Sequence, residues 1–325
     1  MAPFFGIVFG LVLLIIGGGF LVTGASQLAA RFGVSPMIIG LTIVGFGTST
    51  PELVVNIIGG LRGESALAFG NVIGSNISNL ALVLGAAAML QSIEIESSVI
   101  RREVPLLLLI TTIMTVMALD SVLDGGAARI GVSDAIVLLL LFTVFVYISV
   151  QDVILSKKKD VLFTEIEENP LVVTEPVGRH HWAFVVAGFA LLFVGGEMTV
   201  RYSVAFAGVL GISTTLVGLF VVAIGTSLPE LITSVIAAWR KESDLALGNI
   251  LGSNVFNSLI VLPASALAGT VAIPKGGVHD LAVSWLFAAA LIPIFLIGRA
   301  RLGRTSGIML LIAYAAYAVL RVRSF

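Results

Sequence analysis

The sequence predicts an all-α membrane protein: ten transmembrane helices forming two inverted-topology five-helix repeats, with broken helices at the midplane. Three observations carry this expectation. The 325-residue chain is 58% hydrophobic and 11% charged, with a mean hydropathy of +1.11, whereas soluble domains carry about 25% charged residues. Apolar stretches recur at the length that a bilayer core about 30 Å thick demands, roughly 20 residues of helix. One polar segment occurs twice.

Composition also excludes several classes. A net charge of -1 gives no electrostatic basis for binding nucleic acid. The chain has no cysteine, which removes disulfides, thiolate metal sites and cysteine nucleophiles together.

Taken in order, the spans fall at residues 4–30, 36–60, 66–91, 104–119, 132–151, 182–207, 213–238, 245–269, 280–298 and 306–320. The first could pass for a signal peptide, but it lacks a basic n-region and its apolar run is too long. Residues 152–181 carry Lys157, Lys158, Lys159, Asp160, Glu165, Glu167 and Glu168 and have too few apolar residues to fold alone. They form a linker between a first repeat at 1–151 and a second at 182–325. The linker lacks the residue spacing of an EF-hand loop.

Lys and Arg accumulate on the cytoplasmic side of membrane proteins. Loops opposite the termini hold 12 of them, against 5 on the terminal side. The linker is therefore expected in the cytoplasm and both termini outside it, in the inner membrane.

The doubled segment reads GFGTSTPELVVNIIGGLRGESALAFGNVIGSNISN at 45–79 and AIGTSLPELITSVIAAWRKESDLALGNILGSNVFN at 223–257. The two match without gaps at a constant offset of 178 positions, which also pairs Gly17 and Gly18 with Gly195 and Gly196. Five spans per copy is an odd number, so the second copy enters the membrane upside down. Inverted repeats of this kind characterise secondary transporters, whose sites lie near the midplane between the repeats.

Glu52 and Glu230 fall mid-span at matched positions, where a carboxylate costs about 2.5–3.5 kcal/mol on insertion scales. Each follows a proline, Pro51 or Pro229, that cannot donate to the carbonyl four residues back, on Gly47 or Gly225. Irregular backbone at that depth must be buried or line a cavity. Ser49 to Glu52 and Ser227 to Glu230 also fit a helix-capping box, so a simple restart of the helix is a compatible reading.

Downstream, Asn71, Ser75 and Asn79 line one helical face, as do Asn249, Ser253 and Asn257. Gly70, Gly74, Gly248 and Gly252 form small-xxx-small patterns that let helices approach closely. Asn76 and Asn254 are assigned to interhelical packing. Glu197 and Arg201, four apart on one face, are expected to pair with each other. His180 and His181 are read as interface residues, and His279 as alone in an outer loop. The cluster of carboxylates, hydroxyls, amides and carbonyls is an all-oxygen donor set, which suits Ca2+. It contains no His or Cys, which argues against Zn2+ or Cu.

G-T-S-x-P-E followed by G-N-x-x-G-S-N-x-x-N, twice and inverted, resembles the paired alpha-repeats of the Ca2+/cation antiporter superfamily, and most of all its bacterial and archaeal sodium/calcium exchangers. The resemblance covers the whole chain. It implies ion ligands at Thr48, Ser49, Glu52, Ser75 and Asn79, and at Thr226, Ser227, Glu230, Ser253 and Asn257, with main-chain carbonyls at Gly45 and Ala223. Asn257 departs from the archaeal pattern, which has an acid there. The implied activity is alternating-access exchange of Ca2+ for Na+, with proton coupling as the alternative; no cofactor and no enzyme activity are implied, and a monomer is expected to function. An intramembrane protease would need a base beside a buried serine, and no histidine lies within a span. A channel would show no stimulation of flux by the opposing ion.

Overall fold

A bilayer leaves no water for backbone N–H and C=O groups, so a chain this apolar must satisfy them within helices. The computed structural model describes residues 2–61, 65–119, 125, 128–164, 179–209 and 223–323. It is helical almost throughout. The first half comprises α1 (Ala2–Phe32), α2 (Pro36–Thr48), α3 (Thr50–Leu61), α4 (Ala68–Leu90), α5 (Val104–Ala118) and α6 (Val132–Thr164). The second comprises α7 (Arg179–Val209), α8 (Ala223–Thr226), α9 (Leu228–Trp239), α10 (Ser243–Ala268), α11 (Gly277–Ile297) and α12 (Arg304–Arg323).

Among the described residues, 7 helices are long and apolar enough to cross a membrane, or 8 when α2 and α3 count as one bent span. The expected fourth and seventh spans correspond to shorter helices. α5 has 15 residues and α9 has 12. α5 continues a π-helical turn over Val99–Glu103. The first part of the expected seventh span lies outside the described residues.

One boundary differs markedly from expectation. α6 runs on to Thr164, well into the expected linker. A helix already nucleated in the membrane extends at one hydrogen bond per residue, without a new nucleation cost. The remainder of the linker, 165–178, lies outside the described residues. Among the described residues there are also four two-residue strands that helical periodicity did not reveal: β1 (Ile93–Glu94), β2 (Arg129–Ile130), β3 (Val271–Ala272) and β4 (Arg301–Leu302).

The strands pair across the halves. β1 pairs with β4, placing Ile93 opposite Leu302 and Glu94 opposite Arg301. β2 pairs with β3, placing Ile130 opposite Val271 and Arg129 opposite Ala272. Exchanging the halves maps one ladder onto the other.

α1 and α7 run antiparallel, because their contacts descend in one helix as they ascend in the other. Gly10 meets Gly195 and Thr199, Gly17 meets Gly188 and Leu192, and Gly24 meets Val185. A Cβ on Gly17 would lie 2.8 Å from Leu192 N, and one on Gly195 would lie 2.8 Å from Leu14 N. α2 and α10 approach as closely. A Cβ on Gly248 would lie 2.5 Å from the Met37 carbonyl oxygen, and one on Gly45 would lie 2.9 Å from Ser253 N. The small-residue expectation therefore holds for Gly248 and Gly252. The positions that would mirror these contacts for Gly70 and Gly74 lie outside the described residues.

Glu197 and Arg201 do not form the expected pair. Both are exposed, and neither belongs to an ion pair among the described residues. His181, by contrast, joins α7 to α1 through Nδ1 and Gln27 Oε1 at 2.7 Å.

Close backbone approach makes a prediction. A Cβ on Gly252 would lie 2.7 Å from Leu41 Cα, with the Leu41 carbonyl carbon at 2.8 Å, and neither can rotate away. Gly252→Ala is expected to cost about 1–3 kcal/mol through overpacking. Gly303→Ala, with no atom within 4 Å, should stay within about 0.5 kcal/mol. Thermal melting of both variants in detergent measures the difference.

Candidate functional site

The site is assembled at two helix breaks. α2 and α3 meet at a bend of 44°. Ser49, at the junction, has φ -86° and ψ 4°, and its counterpart Ser227 has φ -88° and ψ 7°. Both sit in the sparsely populated bridge region, and in both halves a new helix begins at the next residue with proline in its first turn. Gly45 begins the short helical turn Gly45–Thr48, and Ala223 begins the matching turn Ala223–Thr226.

A second irregularity lies opposite each break. α4 loosens into a π-helical segment at Ser78–Val83, and α10 does so at Asn257–Val261. Asn79 and Asn257 fall inside these segments. Extra backbone width of this kind, common at functional sites, re-aims side chains.

The sequence-derived residues converge. Thr48, Ser49, Glu52, Ser75, Asn79, Ser227, Glu230, Ser253 and Asn257 are all buried, and Thr226 is half-buried. Hydrogen bonds cross between halves. Thr48 Oγ1 donates to Asn249 Oδ1 at 3.1 Å and lies 3.2 Å from Ser253 Oγ. Ser253 Oγ donates to the Gly45 carbonyl at 3.4 Å. Thr226 Oγ1 donates to Asn71 Oδ1, and Ser227 Oγ to Ser75 Oγ, each at 3.4 Å.

Ser49 Oγ donates to Glu230 Oε1 at 3.2 Å, so the first break is joined to the carboxylate of the second. Neither glutamate returns to cap its own helix: the bond to Glu230 comes from the other half, and Ser227 makes no side-chain cap. The capping box is therefore not formed, and the carboxylates are directed inward.

Several buried atoms have no hydrogen-bond partner among the described residues. They include both oxygens of Glu52, Oε2 of Glu230, and both amide atoms of Asn79 and of Asn257. The described residues contain no group of three or more His, Cys, Asp or Glu able to hold a metal, so two carboxylates supplemented by neutral oxygens make up this set. An apolar cavity of about 350 Å³ borders the first break, walled by Phe46, Gly47, Thr48, Pro51, Phe189 and Phe193. It reaches the site at Thr48 and includes neither glutamate.

The packing assignments divide. Asn76 does bridge the halves, donating to Ser258 Oγ at 2.9 Å. Asn254 instead donates to Ile250 O in its own helix at 2.8 Å, so its assignment as interhelical glue is not met by that bond.

Sequence reasoning undervalued Asn249 and missed Asn56 and Ser234. Asn249 accepts from Thr48 and donates to Ser234 Oγ at 2.9 Å and to the Glu230 carbonyl at 3.4 Å. Asn56 donates to the Glu52 carbonyl at 2.7 Å. Each thus ties down the backbone of a glutamate. The signal available in sequence was their polarity in an apolar span.

Comparison with known proteins places the chain among others of this kind. The sodium/calcium exchanger protein family matches residues 2–151 and 180–323. The chain is 38% identical over 317 residues to the putative antiporter CaxA of Alkalimonas amylolytica, covering 95% of each. It is 37% identical over 281 residues to the inner membrane protein YrbG of Escherichia coli, covering 86% of this chain and 82% of that one. A solved structure of the sodium-calcium exchanger NCX_Mj superposes with a TM-score of 0.83 at 27% identity, covering 98% of both chains.

The hydrogen bonds of Asn249 predict a structural effect independent of any bound ion. Asn249→Ala leaves Ser234 and the Glu230 carbonyl short of a donor, at a cost of about 1–3 kcal/mol. Melting in detergent with choline replacing Na+ and with divalent cations chelated should fall accordingly, and an unchanged melting temperature would remove Asn249 from this supporting role.

Proposed function

The chain belongs to the sodium/calcium exchanger family, and on that premise we propose that this multi-pass membrane antiporter exchanges Ca2+ for Na+ across the inner membrane by alternating access. One observation carries the reading: buried oxygens of Glu52, Glu230, Asn79 and Asn257, drawn from both halves, lack hydrogen-bond partners among the described residues. A buried polar group without a partner is costly, and acceptors cannot satisfy one another. A hard cation coordinated by six to eight oxygens can satisfy them together.

The ligand set is Glu52 and Glu230 with Thr48, Ser49, Ser75, Asn79, Thr226, Ser227, Ser253 and Asn257, joined by the Gly45 and Ala223 carbonyls. Ca2+ is held between the two carboxylates. Na+ uses the flanking hydroxyls and carbonyls and the same carboxylates, so the two ions exclude each other. With Asn79 and Asn257 neutral, two formal negatives balance one Ca2+, and a further large cation has no countercharge. All these ligands lie in one chain, which supports a functional monomer.

The architecture proposed is two inverted five-span repeats, 1–151 and 182–325, joined by the 152–181 linker. It is supported by the swapped strand pairings and by the antiparallel course of α1 and α7. Ten spans would put β1 with β4 at one face and β2 with β3 at the other, which is how the strands pair. The Lys and Arg bias assigns the first face, and the linker, to the cytoplasm. The name of the E. coli relative supports the inner membrane.

Two measurements test the function. In proteoliposomes, Glu52→Gln and Glu230→Gln should each abolish Ca2+ transport while melting as the parent does, because an amide keeps the shape and loses the charge. Normal flux in either variant would refute the site.

The counter-ion is tested by Ca2+ uptake into Na+-loaded vesicles at fixed pH. Uptake should not require K+, and acid should slow it, since a protonated glutamate is a poorer ligand. Uptake driven equally well by a pH gradient without Na+ would replace Na+ coupling with proton coupling.

A further inference from the structure

In a protein of swapped repeats, a contact made by one half and missing from the other marks a difference between the two faces of the membrane. α1 and α7 provide such a comparison. At the face carrying the α9–α10 turn, α1 is pinned to α9. Arg240 Nη1 donates to the Gly19 carbonyl at 3.2 Å and to Thr23 Oγ1 at 2.7 Å. Ser26 Oγ donates to Glu242 Oε2. Deeper in the membrane, Gly18 packs on α9, where a Cβ would lie 2.9 Å from Ile236 Cδ1 and 3.0 Å from Ile232 Cγ2. Burial raises the Glu242 carboxyl above its ordinary range, against the opposing pull of Arg240, which is consistent with a junction partly withdrawn from water.

The offset of 178 converts this junction into a pair of α7 and α3 at the opposite face. Arg62 and Glu64, the counterparts of Arg240 and Glu242, lie outside the described residues, so the comparison rests on the apolar packing. Among the described residues that packing is looser: Gly196, the counterpart of Gly18, has only Pro229 Cγ nearby, at 3.9 Å from a built Cβ. Val54 and Ile58, the counterparts of Ile232 and Ile236, are 46% and 43% exposed. Glu197 and Arg201 hold in α7 the places of Gly19 and Thr23 in α1, and both are exposed.

We propose that Arg240 and Glu242 are positioning residues that clasp α1 to α9 and close the ion path at the face of the α9–α10 turn, leaving the path open toward the opposite face. This rests on the reading that the two helix breaks hold the transported ions. Arg240 releases Gly19 and Thr23, and Glu242 releases Ser26, when the other access state forms. The clasp thereby sets the balance between the two states. Losing one hydrogen bond to a charged group shifts such a balance by about tenfold, or about 1.4 kcal/mol.

The chain has no cysteine, so single introduced cysteines report cleanly. Ile58→Cys and Ile236→Cys occupy matched positions in the two halves. In lipid nanodiscs both faces are reachable by a charged maleimide, so the labelling rates report closure whatever the orientation. Ile58→Cys is expected to label at least about tenfold faster than Ile236→Cys. Adding Arg240→Ala or Glu242→Gln should speed Ile236→Cys and slow Ile58→Cys, and Arg240→Lys should restore part of the difference. Thr23→Val removes the acceptor while keeping Arg240, and should act in the same direction should Arg240→Ala fold poorly.

A residue that merely supports the fold would raise both rates together, and that result overturns the proposal. Equal rates at the two cysteines in the otherwise unaltered chain overturn it as well, as do clasp variants that change neither rate. The labelling needs neither Ca2+ nor Na+ gradients. Failure of Na+-driven Ca2+ uptake would therefore count against the exchange reading alone.

Discussion

Two carboxylates buried at interrupted helices are the constraint on which the rest of this structure depends. At membrane depth neither a carboxylate nor a freed backbone group can turn to water. Each break must therefore be enclosed, and the material that encloses it comes from the other half. Thr48 is held by Asn249 and Ser253, Thr226 by Asn71, and Glu230 by Ser49. The halves are interlocked because each supplies hydrogen-bond partners to polar groups of the other. On the reading proposed above, the acceptors still unpartnered after this exchange are the ones that would bind the transported cations.

Interlocking requires the helices to approach closely, and glycine makes this possible. Gly45, Gly248 and Gly252 bring α2 against α10 at backbone distance, so hydroxyls as short as those of Thr48 and Ser253 reach across. Elsewhere the same economy of side chains joins α1 to α7 through Gly10, Gly17, Gly188 and Gly195. These two seams differ in consequence. The first fixes the site. The second makes a paired unit of the two helices that flank it, and among the described residues that unit contacts α9 at one face more closely than α3 at the other.

Much of this architecture was legible in the chain. Apolar runs located the helices, and the constant offset of 178 located the second half against the first. Prolines beside Glu52 and Glu230, together with the glycines four residues back, marked the breaks, because a proline cannot donate the N–H that an unbroken helix needs at that place. Burial of the matched hydroxyls and amides followed from polarity within an apolar span. The strands at Ile93–Glu94 and Val271–Ala272 were not legible, since two residues show no period and their partners lie far along the chain. Nor was the π-helical widening at Asn79 and Asn257, whose local sequence is compatible with an ordinary helix.

By itself, then, the sequence determined what is set within a few turns of helix: most of the long apolar helices, the repeated segment, the interruptions and the polar faces beside them. The tertiary structure alone decided what depends on the meeting of distant segments. It left Glu197 and Arg201 apart although four residues separate them, and it joined Arg240 to Gly19 and Thr23 across more than half the chain. It gave Asn249 its partners and withheld partners from Asn257 in the same helix face. The physical reason is that a hydrogen bond depends on the distance and direction between two groups, and a repeated sequence specifies equivalent groups without requiring that both copies occupy equivalent surroundings.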